Sequence, residues 1–196
     1  TNYTSQAMQN IQALGANWVI VTPTWSYTSA NPIIFSPRPG ADALWTDTAL
    51  MISQGRALNL NVAVFPAPRF ATPPADTSTS LSASFWRAAP RDPLWWQTWF
   101  DTYRNFAVNY ADLASQAGAQ ALILGGDWIG PALPNGTLSN GSPSGVPTDA
   151  ETRWLAILNE VRAHFRGQIL WAMPYSAPNL VTPSFITQTD GVYLMI

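Results

Sequence analysis

The chain has 196 residues, 47% of them hydrophobic, with a net charge of −2 and no cysteine. That is enough for one sizeable core, and it excludes a disordered chain, a disulfide scaffold and a thiolate metal site. The small net charge gives no electrostatic basis for binding nucleic acid or an anionic membrane, and no apolar run approaches the ~20 residues of a membrane-inserted helix.

Charged residues are only 10% of the chain, and all nine basic residues are arginines. Soluble domains average about 25% charged residues. The surface must therefore be built from Ser, Thr, Asn, Gln and Pro, a composition that suits an extracellular or cell-envelope protein.

In chain order, residues 5–14 read as a helix with Met8, Ile11 and Leu14 on one face, stopping at Gly15. Residues 17–22 read as a buried strand, 46–58 as a helix and 61–65 as a strand. Asp92-Pro93 is an N-cap followed by the proline favoured in a first helical turn. The helix it opens carries Trp96, Trp99, Tyr103, Phe106, Tyr110 and Leu113 at helical spacing and ends at Gly118. A strand over 121–124, a helix over 148–165 and strands over 168–172 and 191–196 complete the series. Thr148 and Glu151 have the spacing of a capping box. Such alternation predicts a parallel α/β fold.

The connections are asymmetric. Helix-to-strand links are tight, whereas the strand-to-helix links 23–45, 66–91 and 126–147 are long and rich in Pro, Gly, Ser and Thr. Loops of that length in a compact domain are usually functional, and all three leave from one end of the sheet. This is the layout of a (β/α)8 TIM barrel. A doubly wound sheet is the runner-up, but no Gly-rich phosphate loop opens any of these helices. Five strands are countable and a closed barrel needs eight. The expectation is a single (partial) TIM-barrel domain over residues 1–196, covering roughly strands two to six of a parent chain that extends at both ends.

Residues 121–128 read Ala-Leu-Ile-Leu-Gly-Gly-Asp-Trp. The apolar run suits a strand buried on both faces, and the two glycines let the backbone leave it sharply. Asp127 then stands at the carboxyl end of a parallel strand, where α/β folds place their chemistry. An acid beside the indole of Trp128 suggests a sugar-handling site. Fixing a loop or capping a short helix is the plainer role for Asp127.

Several segments carry a family resemblance. Phe85-Trp86-Arg87 follows the third strand of the inferred barrel. Trp95-Trp96-x-x-Trp99-Phe100-x-x-Tyr103 opens the next helix, then come Leu122-Ile123-Leu124-Gly125-Gly126-Asp127, the helix from Trp154 to Gly167, and Asp190-Gly191-Val192. The succession resembles glycoside hydrolase family 113, the endo-β-mannanase type of TIM-barrel glycosidase. The resemblance implies hydrolysis of a β-linked, mannan-like polysaccharide by carboxylate acid/base catalysis, without a cofactor. In that family the acid/base is a glutamate ending the fourth strand and the nucleophile a glutamate on the seventh. Asp127 occupies the first position with a side chain one methylene shorter. The second position would lie beyond Ile196.

Other candidates stand around the same end. Arg69 and Arg87 follow the third strand and suit hydrogen bonds to sugar hydroxyls. Trp25, Trp86, Trp128 and Trp171 lie at or just beyond strand ends, where an indole stacks on the C–H face of a pyranose ring. Tyr175 follows the strand over 168–172. Glu160 reads as solvent-facing or paired with Arg153 or Arg162, and Asp190 as structural. His164, the single histidine, sits in a last helical turn where its charge suits the helix dipole, and no metal site can be assembled around it. Two functions stay open at this point. One is a glycoside hydrolase with Asp127 as the acid. The alternative is a catalytically degenerate carbohydrate-binding or structural barrel. In either case the expected partners are an oligo- or polysaccharide and other domains of the parent chain.

Overall fold

The computed structural model describes residues 2–70, 80–175 and 182–196. In chain order its elements are α1 (Asn2–Ala13), β1 (Trp18–Val21), β2 (Thr24–Ala30), β3 (Ile33–Ser36), α2 (Trp45–Ala57), β4 (Asn61–Val64), β5 (Ala67–Phe70), α3 (Leu81–Ala88), α4 (Pro93–Ala117), β6 (Ala121–Gly125), α5 (Ala150–His164), β7 (Gln168–Pro174) and β8 (Gly191–Met195). Short 3-10 helices lie at Asp127–Ala132 and Ser184–Gln188.

Five strands form a parallel sheet in the order β1-β4-β6-β7-β8. Alternation along each strand sorts the side chains by face. Val62, Val64, Leu122, Leu124, Ile169, Trp171 and Met173 join the large core beneath the helices. Ala63, Phe65, Ala121, Ile123 and Ala172 form a separate inner cluster, with Tyr193 and Met195 against it. The sheet is strongly curled. β4 and β8 are three strand spacings apart, ~14 Å in a flat sheet, yet the Phe65 and Tyr193 rings are 5.5 Å apart at their centroids. The inner face is thus the wall of a partial barrel lumen, with the helices outside.

The long links are not irregular throughout. Residues 23–45 hold β2 and β3, and 66–91 hold β5 and α3; residues 71–79 of that link lie outside the described residues. β3, β2 and β5 form a second small sheet. It continues the barrel wall upward. Phe65 N donates to Val21 O at 2.8 Å and Ala67 N to Pro23 O at 2.9 Å. The pairing passes from Val21↔Val64 to Thr24↔Ala67, a step of three residues on both strands, so no slip occurs. The backbone N–H groups of Phe65 and Ala67 face β1, so position 66 faces β6. Proline there withdraws the donor on that side alone, ending the β4–β6 pairing while the β1 side runs on.

Helix α4 explains why the wall must rise. Its 25 residues span about 37 Å, whereas a five-residue strand such as β6 covers about 17 Å. Asp92 caps it, accepting from Trp95 N at 2.9 Å, with Pro93 in the first turn. Its upper half projects beyond the strand ends and carries large rings. The extension covers them: Phe35 packs on Phe106 at 4.8 Å, Trp25 on Phe106 at 5.4 Å, and Trp95 Nε1 donates to Ala30 O at 2.7 Å.

The opposite face of the extension is polar. Asp42, 6% exposed, accepts from Thr24 Oγ1 at 2.5 Å, Ser26 Oγ at 2.8 Å and Arg38 N at 2.8 Å, and lies 3.5 Å from Arg69 Nε. Burial pushes its carboxyl pKa up. The hydrogen bonds from Thr24, Arg38 and Ser26, with the charge of Arg69, outweigh burial and hold it below the usual carboxylate value.

Two local expectations change, and His164 keeps its place in a last helical turn. Asp149, not Thr148, precedes α5 and pairs with Arg153 at 2.9 Å, while Glu151 accepts from the Ser184 hydroxyl, so no capping box forms. Glu160 lies 3.8 Å from Arg104 because Arg153 and Arg162 are engaged by Asp149 and Asp190. His164 pairs with Asp112 at 2.7 Å. Asp190 keeps its structural role, accepting from Ile169 N at 2.7 Å and Arg162 Nη2 at 2.5 Å.

The chain leaves β6 through Gly125 at φ 93° and Gly126 at φ 114°. A Cβ on Gly126 would stand 2.5 Å from the Trp128 ring. Gly126→Ala should therefore cost at least the ~1–3 kcal/mol of a strained backbone position and shift tryptophan emission; unchanged denaturant unfolding would contradict the packing described. A second expectation concerns acid. A folded-state carboxyl pKa below the unfolded value of about 3.9 contributes stability above that value and loses it as pH falls through the folded one. Asp42→Asn should lower stability at pH 7 and make its further decline below about pH 4 shallower, as read by urea unfolding at both pH values.

Candidate functional site at the barrel rim

The segment carrying Asp127 is fixed from two sides. Gly126 N donates to Ala172 O at 3.1 Å, continuing the pairing with β7 for one residue beyond β6. The 3-10 helix Asp127–Ala132 is then held by two indoles. Trp86 Nε1 of α3 donates to Trp128 O at 2.8 Å, and Trp154 Nε1 of α5 donates to Ala132 O at 2.9 Å. Both rings are buried. The backbone of Asp127 is thereby tied to the barrel and to two helices, the kind of rigid support a reacting group needs.

Asp127 itself is exposed. It opens onto a cleft of about 200 Å³ between the start of α3 (Ser80, Ser82, Ala83) and the loop 137–139, floored by Trp86 and Trp128. A second hollow of about 210 Å³ adjoins it, sharing Ala83, Leu138 and Ser139 and reaching Arg87 and Asn140. Asp127, Trp128 and Trp86 thus line one hollow, and Arg87 lines its neighbour. Among the described residues the carboxylate of Asp127 has no hydrogen-bond partner, so it is open to a ligand from solvent.

Trp128 is the link to the lumen. Its ring lies 5.6 Å from that of Phe65, which in turn meets Tyr193. These three rings form an apolar lining at the mouth. Arg69 stands on the same side as Phe65, four residues on along an uninterrupted alternation, with its guanidinium half exposed. Tyr175 follows β7 and is 72% exposed, its N–H donating to Met195 O at 2.9 Å.

Three tryptophans do not have the expected role of sugar platforms. Trp171 is 2% exposed and packs between Trp154 and Phe185, because its position on β7 points it outward under α5. Trp25 faces outward for the same reason of alternation and packs on Phe35, Phe106 and Tyr110. Trp86 shows only a sliver of its ring to the cleft; its place is beneath the site, as the donor to Trp128 O. The void beside these rings, lined by Tyr27, Phe85, Trp99 and Phe106, is only about 10 Å³, too small for anything beyond one water.

Sequence reasoning missed Asp42, Thr24 and Ser26, and read Phe65 and Tyr193 only as strand residues. Pro23-Thr24-Trp25-Ser26-Tyr27 does alternate polar and aromatic residues, the signature of a half-buried strand. Asp42 gave no signal, since its partners are fixed by the hairpin. Among the described residues no group of three or more His, Asp or Glu is placed to hold a metal ion, and no helix is long and apolar enough to cross a membrane.

The sequence profile of Glycoside Hydrolase Family 113 matches residues 1–134. No curated protein matches. Among solved structures, a GH113 β-1,4-mannanase superposes with a TM-score of 0.70 at 17% identity, over 99% of this chain and 56% of its own. The GH113 β-mannanase AaManA from Alicyclobacillus acidocaldarius, solved in complex with ManMIm, gives 0.66 at 17% identity, over 99% and 55%. A GH18 chitinase from Pseudoalteromonas aurantia gives 0.51 at 11% identity, over 94% and 62%. The chain spans about half the length of the mannanases it matches. With its partial TIM barrel and its profile match over most of its length, the chain belongs to Glycoside Hydrolase Family 113.

Proposed function

We propose that this chain is part of a glycoside hydrolase acting on a β-linked, mannan-like polysaccharide. The observation that carries the reading is the position of Asp127. It follows the central strand β6 by two residues at the rim of a family 113 barrel, on a segment held by two buried indole donors, and opens onto a cleft of about 200 Å³. Asp127 would protonate the glycosidic oxygen as the leaving sugar departs. A second carboxylate from another part of the full-length protein would attack the anomeric carbon or activate water. Trp128, with Phe65 and Tyr193, would take the apolar face of a sugar ring, and Arg87 a hydroxyl in the adjoining hollow. Such a polymer is an extracellular or envelope substrate, in keeping with the low charge of the surface.

A second reading, a barrel that binds β-glycan without cleaving it, is favoured by one feature. Asp127 is shorter than the glutamate of the family pattern, and a displacement near 1 Å can cost about 100-fold in rate.

The test uses the full-length protein. Asp127→Asn should lower turnover of ordinary β-mannan oligosaccharides by about 10²–10⁴-fold. An activated aryl glycoside, whose leaving group needs little protonation, should lose far less at the glycosylation step, and binding should survive. If wild type cleaves and Asp127→Asn is unimpaired, Asp127 is not the acid. If wild type binds β-mannan but never cleaves it, the second reading holds.

A further inference from the structure

The polar face of the wall extension has no part in the chemistry assigned to Asp127, yet it is the most elaborately built polar cluster above the barrel. Because the β1–β2 and β4–β5 ladder runs on without a slip, Thr24, Ser26 and Arg69 lie on the lumen side with Ala63 and Phe65. Asp42 accepts hydrogen bonds from Thr24, Ser26 and Arg38 N, and forms an ion pair with Arg69 at 3.5 Å. The ion pair with Arg69 is made at Nε. Among the described residues Nη1 and Nη2 make no hydrogen bond, and the side chain is 51% exposed. A guanidinium held by its inner nitrogen presents its two outer ones as a rigid fork.

Arg69 is four residues beyond Phe65, so its Cα stands about 13 Å up the wall from that of Phe65, at ~3.3 Å per residue. Its guanidinium is drawn to Asp42 beside Thr24 and Ser26, on the extension and not on the segment that carries Asp127. It suits a sugar unit farther along the same polymer, whose vicinal hydroxyls are accepted by the two N–H groups. Binding at a remote unit is a way to hold the reacting one in place.

We propose that Arg69 forms a distal subsite that recognises the hydroxyl edge of a β-linked oligosaccharide, and that Asp42 is the positioning residue that fixes its guanidinium. The proposal rests on the glycan-binding reading above, whether or not the protein cleaves. Arg69→Gln removes the fork. Asp42→Asn removes the charge that holds it, and Ser26→Ala loosens Asp42 more gently should Asp42→Asn fold poorly.

The experiment measures KM or Kd of the full-length protein for β-1,4-linked oligosaccharides of two to six units. For the longest, Arg69→Gln and Asp42→Asn should each weaken KM or Kd roughly tenfold, the scale of a charge-assisted hydrogen bond, with kcat little changed. The shortest should be unaffected. The double variant should be no weaker than Arg69→Gln alone, because the two act through one group. If Asp42→Asn and Ser26→Ala lower the melting temperature but leave the chain-length profile intact, Asp42 is structural and its assignment falls. If Arg69→Gln leaves the profile intact, the subsite falls while the functional reading stands. If wild type neither binds nor cleaves any β-1,4-linked oligosaccharide of mannose, glucose or galactose, both fall together.

Discussion

A helix twice as long as the strands it covers sets the shape of this protein. The lower half of α4 packs on the outer face of the sheet in the manner of any barrel helix, through Tyr110, Leu113 and Ala114. Tyr103, whose hydroxyl accepts from Gly125 N, marks the end of β6; beyond it the helix carries Trp95, Trp96, Trp99 and Phe100, all buried. Leaving those rings in water would forfeit several kcal/mol of burial, at about 1.5–3 kcal/mol per large side chain. The chain meets this need with β2, β3, β5 and α3, whose Tyr27, Phe35, Phe70 and Phe85 stack against one another and against the helix. The loops at the active end are therefore an ordered second storey.

That second storey has two faces with different work. Alternation over Thr24–Tyr27 of β2 and along β5 sends Trp25, Tyr27 and Phe70 toward the helices and Thr24, Ser26 and Arg69 toward the lumen. Pro66 lets it grow from two strands alone by ending the pairing with β6 on one side. α3 then supplies Trp86, which reaches across to hold the segment after β6. The position of Asp127 thus depends on α4 through the extension, α3 and Trp86, and on α5 through Trp154. Two residues that look in sequence like sugar platforms, Trp86 and Trp171, are framework on which the rim is built.

Much of the barrel was legible because its signals are local and periodic. The helices and the five parallel strands follow from apolar spacing, from the Asp92-Pro93 cap and from tight helix-to-strand turns. Asp127 was legible from an apolar run ended by two glycines. The rim was not legible, for a physical reason. Whether Trp171 faces a ligand or a helix depends on which face of β7 it occupies, and the sequence does not say which face is lumen when both are apolar; Trp25 lies in a long link whose short strand is paired only in the folded wall. Asp42 depends on contacts with residues 16 and 18 positions away, made only once the hairpin is folded. The Thr148–Glu151 pair fails as a cap because Ser184 competes for Glu151 through a tertiary contact.

The central claim is that the rim around Asp127 and Trp128 is where a β-linked glycan lies. A crystal structure of the full-length protein with a bound β-1,4-mannan oligosaccharide tests it most directly. The account predicts a glycosidic oxygen within hydrogen-bond distance of the Asp127 carboxylate and a sugar ring against Trp128, with Trp25 and Trp171 untouched. A glycan seated elsewhere on the molecule, with the groove between α3 and residues 137–140 empty, would contradict it.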